Sequence, residues 1–105
     1  MTNLNVLIKP ILYTENRDLW IFIGEINQMS FSMIEDGIES CRKVMAGEYP
    51  EMYWGLEVSE LLIHQETSTL EYNGDFIAEI LTLEIYNMLI KYRNKLKDYE
   101  QEISG

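Results

Sequence analysis

The sequence predicts an α+β fold: an antiparallel β-sheet of four or five strands with two helices packed on one face, in the order ββα-β(β)β-α. Three observations lead there. Two segments carry apolar residues at three- and four-residue spacing, the mark of a helix with one buried stripe. Several shorter segments are rich in β-branched and aromatic residues and are bounded by turn residues. Between two of these stands Asn73-Gly74, the strongest short hairpin signal, because both central positions of a type I′ turn need positive φ. Two helices on one face of such a meander leave the other face partly open to solvent, and the carboxylates are expected to decorate it.

The elements follow in order. Asn5–Tyr13 reads as a strand, and Pro10, which cannot donate to a ladder, makes it an edge strand or an irregular one. Thr14–Arg17 is a polar break of hairpin-loop length. Asp18–Ile26 contains the run Leu19-Trp20-Ile21-Phe22-Ile23, which suggests a strand covered on both faces, or on one face with an oligomer contact on the other. Ser30 and Ser32 are alternative caps for a first helix, and Glu35 completes a capping box with Ser32. Ile34, Ile38, Cys41, Val44 and Met45 form its stripe, and Gly47 is its natural stop. Gly37 within this helix costs about 1 kcal/mol relative to alanine, which hints at close packing. Glu48–Gly55 reads as an aromatic-rich connection that Pro50 keeps from continuing the helix. Leu56–Gln65, Thr67–Tyr72 and Asp75–Leu81 read as strands, the last two paired through Asn73-Gly74. Thr82 is the expected cap of a closing helix whose stripe runs through Ile85, Leu89, Tyr92, Leu96 and Tyr99.

The chain has 105 residues, the size of a single domain, and residues 1–105 are read as one. A chain of this length buries roughly two-thirds of its unfolded surface without help from disulfide or metal. Its most apolar stretch, Ile80–Ile90, is interrupted by Thr82, Glu84 and Asn87, far short of the roughly 20 apolar residues of a membrane span. The opening MTNLNVLIKP lacks the pattern of a secretory leader, so a cytoplasmic location is expected. Cys41 is the only cysteine, which excludes an internal disulfide and fits a small core hydrophobe.

Charge is the most informative feature for function. The net charge is -10, and the 47 residues between Lys43 and Lys91 contain no lysine or arginine. The same stretch carries nine carboxylates: Glu48, Glu51, Glu57, Glu60, Glu66, Glu71, Asp75, Glu79 and Glu84. Such a field repels nucleic acid and membranes and attracts a basic partner. Tyr49, Met52, Tyr53 and Trp54 lie within it. They read either as a plug over the core or as interface anchors, since tyrosine and tryptophan dominate protein–protein hot spots. The candidate partner-binding residues are therefore Glu48, Glu51, Tyr53, Trp54, Glu57, Glu60, Glu66, Glu71 and Asp75.

No catalytic residues, cofactor or metal are expected. His64 is the only imidazole, and Glu66, two residues on, would share its side of a strand. No third group stands at a spacing that would make the pair a zinc site. The acids are not concentrated in a calcium-loop pattern. Glycine-rich phosphate loops, G-x-S-x-G, H-E-x-x-H and C-x-x-C are absent.

The Y-W-G segment Tyr53–Gly55 after the first helix, and the closing D-F-I-A-E-I-L-T-L-E-I-Y-N-M-L-I-K-Y, resemble bacterial immunity proteins in architecture and texture. Those proteins neutralise the toxin domains of contact-dependent or polymorphic toxin systems. The resemblance implies a non-enzymatic inhibitor whose acidic face occludes the cationic cleft of a toxin, often a nuclease, with carboxylates standing in for nucleic-acid phosphates. The competing expectations are a scaffold that homodimerises through the apolar segment Leu19–Ile23, and a small enzyme built on His64 and Glu66.

Overall fold

The computed structural model describes residues 19–104. Within them the order is α1 (Trp20–Ile26), α2 (Phe31–Met45), β1 (Met52–Gly55), β2 (Ser59–Ile63), β3 (Thr67–Tyr72), β4 (Asp75–Leu81) and α3 (Thr82–Ser104). The strands form one antiparallel sheet in the order β1-β2-β3-β4, and the helices pack against it. The fold is α+β, as the sequence predicts. The strand expected over Asn5–Tyr13 lies outside the described residues.

The second expected strand is a helix. In α1, Phe22, Ile23 and Ile26 are buried, and Leu19 packs against the same core. Leu19, Phe22, Ile23 and Ile26 stand at i, i+3, i+4 and i+7, one face of a helix. Trp20 and Ile21, which made the run look like a strand, lie off that face and are exposed. A homodimer formed by pairing strands here is therefore not available, because a helix satisfies its backbone groups internally.

Helix α2 matches its expected stripe, with Ile34, Ile38, Cys41 and Val44 all buried. Its cap is Ser30, whose hydroxyl accepts from the Met33 amide at 3.4 Å. Ser32 and Glu35 form no capping box; Glu35 instead meets Arg93 of α3 at 3.4 Å. The helix ends in a Schellman motif. Glu48 N–H donates to the Lys43 carbonyl and Gly47 N–H to that of Val44, with Gly47 at φ 81°.

The segment expected to be a connection contains β1. Its register places Trp54 opposite Leu61, which in turn faces Leu70 and then Ala78 on β4. This row lies on the helix-covered face. The Asn73-Gly74 turn joins β3 and β4 with φ values of 52° and 83°, as a type I′ turn requires. On β4 the pairs Leu70–Ala78 and Glu71–Phe76 leave Ile77 unpaired in a bulge, where it packs against the core.

Thr82 begins α3, but its hydroxyl does not cap it. That hydroxyl donates to the His64 carbonyl at 2.6 Å and lies 2.7 Å from Ser68 Oγ. Since its one proton goes to the carbonyl, Ser68 is the donor to Thr82. Ser68 and Thr82 are both fully buried, so this short relay satisfies two hydroxyls that would otherwise oppose burial.

Candidate protein-docking surface

Side chains on a strand alternate between faces, and directly opposed residues share one. The register therefore fixes the face turned away from the described helices, the open face, as three rows running across the sheet. The first is Glu51, His64, Thr67 and Leu81; the second is Tyr53, Leu62, Thr69 and Glu79; the third is Gly55, Glu60, Glu71 and Phe76. Glu51 and His64 extend the β1–β2 register by one step, and their side chains meet at 2.9 Å.

Among the described residues, this face carries four carboxylates and no lysine or arginine. All six bases among the described residues lie on α2 and α3. Several are engaged there: Arg42 with Glu39 at 2.5 Å and Glu48 at 3.4 Å, Arg93 with Glu35, Lys43 over Tyr49, and Lys97 over Phe31. The Arg42 guanidinium hydrogen-bonds Glu39 and holds its carboxyl below the usual value.

Glu60 and Glu71 sit directly opposite one another on β2 and β3. Like charges so placed destabilise a sheet. Large apolar side chains share the face, with Tyr53 60% and Phe76 63% exposed and Leu81 also exposed. At the end where the β1–β2 and β3–β4 turns meet, a cleft of about 310 Å³ is lined by Gly55, Glu57, Glu60, Glu71 and Asn73, among others.

The sequence-predicted residues divide accordingly. Glu51, Tyr53, Glu60 and Glu71 share the open face, and Glu57 joins them at the cleft. Asp75 lies at the same end but opposite Tyr72, off that face. Glu66 lies in the β2–β3 turn at the far end, and Glu48 is held by Arg42. Trp54 does not belong to a docking surface: it is only 5% exposed and packs under α2, because strand alternation turns it away from Tyr53. Glu79, Phe76 and Leu81 were not singled out from sequence; only the strand register reveals that they share this face.

His64 pairs with Glu51 and not with Glu66, which sits beyond the strand in a turn. Cys41 is fully buried, and desolvation pushes its thiol up to about 12. That suppresses the thiolate a nucleophile requires. Among the described residues, no group of three His, Cys, Asp or Glu side chains is placed to hold a metal ion. None of their helices is long and apolar enough to cross a membrane.

One positioning residue escaped the sequence altogether. Glu25 of α1 accepts from the Val58 amide at 2.6 Å, the Ser59 amide at 3.3 Å and the Ser59 hydroxyl at 2.5 Å. It thereby ties α1 to the turn that borders the cleft, across more than thirty residues of sequence. No protein-family model, curated protein or solved structure matches this chain.

Proposed function

We propose that this protein is an immunity-type inhibitor, a non-enzymatic cytoplasmic protein that docks its open sheet face on a basic toxin domain and blocks that domain's active site. The observation that carries the reading is the composition of that face among the described residues: Glu51, Glu60, Glu71 and Glu79 interleaved with Tyr53, Phe76 and Leu81, with His64 beside Glu51 and no lysine or arginine. Carboxylates steer a cationic partner, and exposed aromatics supply the packing that retains it. The opposed pair Glu60–Glu71 supports this further, since a repulsion that weakens the free sheet is relieved when a cation binds between its members.

The test is co-expression and pull-down with a toxin domain encoded beside this chain's gene. Protection from toxicity is expected, with affinity falling as salt rises and falling again in Glu60→Gln and Glu71→Gln. Salt-insensitive binding, or no protection, overturns the reading.

A second reading, a scaffold that self-associates, draws on the exposed Trp20 and Ile21 of α1. Sedimentation decides it: a stable dimer lost in Ile21→Glu favours the scaffold, and a monomer at high concentration removes it.

A further inference from the structure

We infer that the apolar groove between α1, β4 and α3 is the seat of this chain's own segment Asn5–Tyr13, which covers the core from the helix side. The inference is independent of the docking reading above. Ile80 of the groove stands opposite buried Ser68, on the helix-covered side of the sheet and away from the open face.

The groove has a volume of about 250 Å³. An apolar cavity of roughly 150 Å³ already takes up benzene, so this one has room for more than one apolar side chain. Phe22, Ile23 and Ile85 line it and are buried, whereas Leu19, Ile80 and Met88 line it and are only partly buried. Those three walls still offer apolar surface whose removal from water is favourable.

Three facts select the occupant. Leu19, the first described residue, lines the groove, so the chain before it departs from the groove itself. Tyr13 is six residues from Leu19 and therefore within about 22 Å of it. A tether that short gives the segment a millimolar effective concentration, which a separate partner has to match. Second, six of the nine residues Asn5–Tyr13 are apolar: Val6, Leu7, Ile8, Ile11, Leu12 and Tyr13. Third, the charges are complementary. In a chain of net charge -10, this segment holds Lys9 and no acid, and Glu84 is the charged residue of the groove lining.

The experiment uses the full chain with labelled methyl groups. Nuclear Overhauser cross-peaks are expected between Ile8, Ile11 or Leu12 and Ile80, Ile85 or Met88, and they should persist when labelled chain is diluted into unlabelled chain. The dye ANS, a probe of exposed apolar surface, should leave the resonances of Ile80 and Met88 unmoved. The double variant Ile8→Asp/Ile11→Asp should lose the cross-peaks, melt about 4–8 °C lower and let the dye shift Ile80 and Met88.

Absence of the cross-peaks in the wild type overturns the inference, as does dye binding in the wild-type groove. Cross-peaks that vanish on dilution overturn it too, because a second copy then fills the groove. A double variant that melts with the wild type has the same consequence.

Discussion

Gly37 of α2 lies directly against the ring of Trp54 on β1: a Cβ at residue 37 would sit 2.6 Å from the indole Cε2 and Cζ2 atoms. The glycine is thus the socket that lets the first strand close onto the helix layer. Gly37→Ala should destabilise the protein despite alanine's better helix propensity. Overpacking a buried ring costs about 1–3 kcal/mol, against about 1 kcal/mol gained from propensity. Trp54→Ala should cost about 3–5 kcal/mol through the cavity it leaves. The double variant should be milder than the sum, because alanine at residue 37 no longer meets a ring; urea denaturation of the three variants measures this.

Glu25 is the clamp between α1 and the β1–β2 turn. Glu25→Ala removes the acceptor for two amides and a hydroxyl, at an expected cost of about 1–3 kcal/mol. Hydrogen exchange should locate the loss, with the Val58 and Ser59 amides becoming the most exposed to solvent relative to wild type.

The buried relay from Ser68 through Thr82 to the His64 carbonyl gives a third prediction. Thr82→Val should cost about 1–3 kcal/mol, because it strands the Ser68 hydroxyl and the His64 carbonyl while keeping the side-chain shape. Adding Ser68→Ala removes one stranded group, so the double variant should be less unstable than the two single losses combined. A double-mutant cycle in urea reads the coupling directly.

Cys41 should resist thiol reagents in the native state and react only on unfolding. The folded thiol titrates near 12, above its ordinary value of 9.0, because burial disfavours the thiolate. Its contribution to stability is therefore full below pH 9 and declines as the pH rises toward 12. Cys41→Ala should lack this decline, and melts between pH 8 and 11 compare the two.

Glu60 and Glu71 should show opposite effects on folding and binding. Glu60→Gln relieves a like-charge pair and should stabilise the free protein by about 0.2–1 kcal/mol. The gain should shrink in high salt, where the repulsion is screened. The same change should weaken binding to a cationic partner. A variant that loses both stability and binding would mark Glu60 as merely structural.

Helix α2 and the β3–β4 hairpin were legible because their signals are local. Ser30, the stripe Ile34–Ile38–Cys41–Val44, Gly47 and Asn73-Gly74 each act within a few residues. Helix α1 was misread because Trp20 and Ile21 fill the gaps in a helical stripe, turning it into a continuous apolar run. Strand β1 was hidden in a short segment after Pro50, and its alternation of buried Trp54 with exposed Tyr53 emerges only once Gly37 makes room for the indole. The acidic character of the open face was visible in composition, and its membership was not. Which acids share a side depends on register, and the bulge at Ile77 shifts that register partway along β4. Contacts such as Glu25 with Ser59 join residues far apart in sequence and leave no local trace.

Among the described residues the sheet order β1-β2-β3-β4 follows the chain, so each of these strands pairs only with its immediate predecessor or successor. Closing such a meander requires three short loops and no long crossover, which keeps the chain entropy lost at each step small. Low contact order of this kind goes with rapid folding. The sheet can zip outward from the Asn73-Gly74 hairpin, one neighbouring strand at a time.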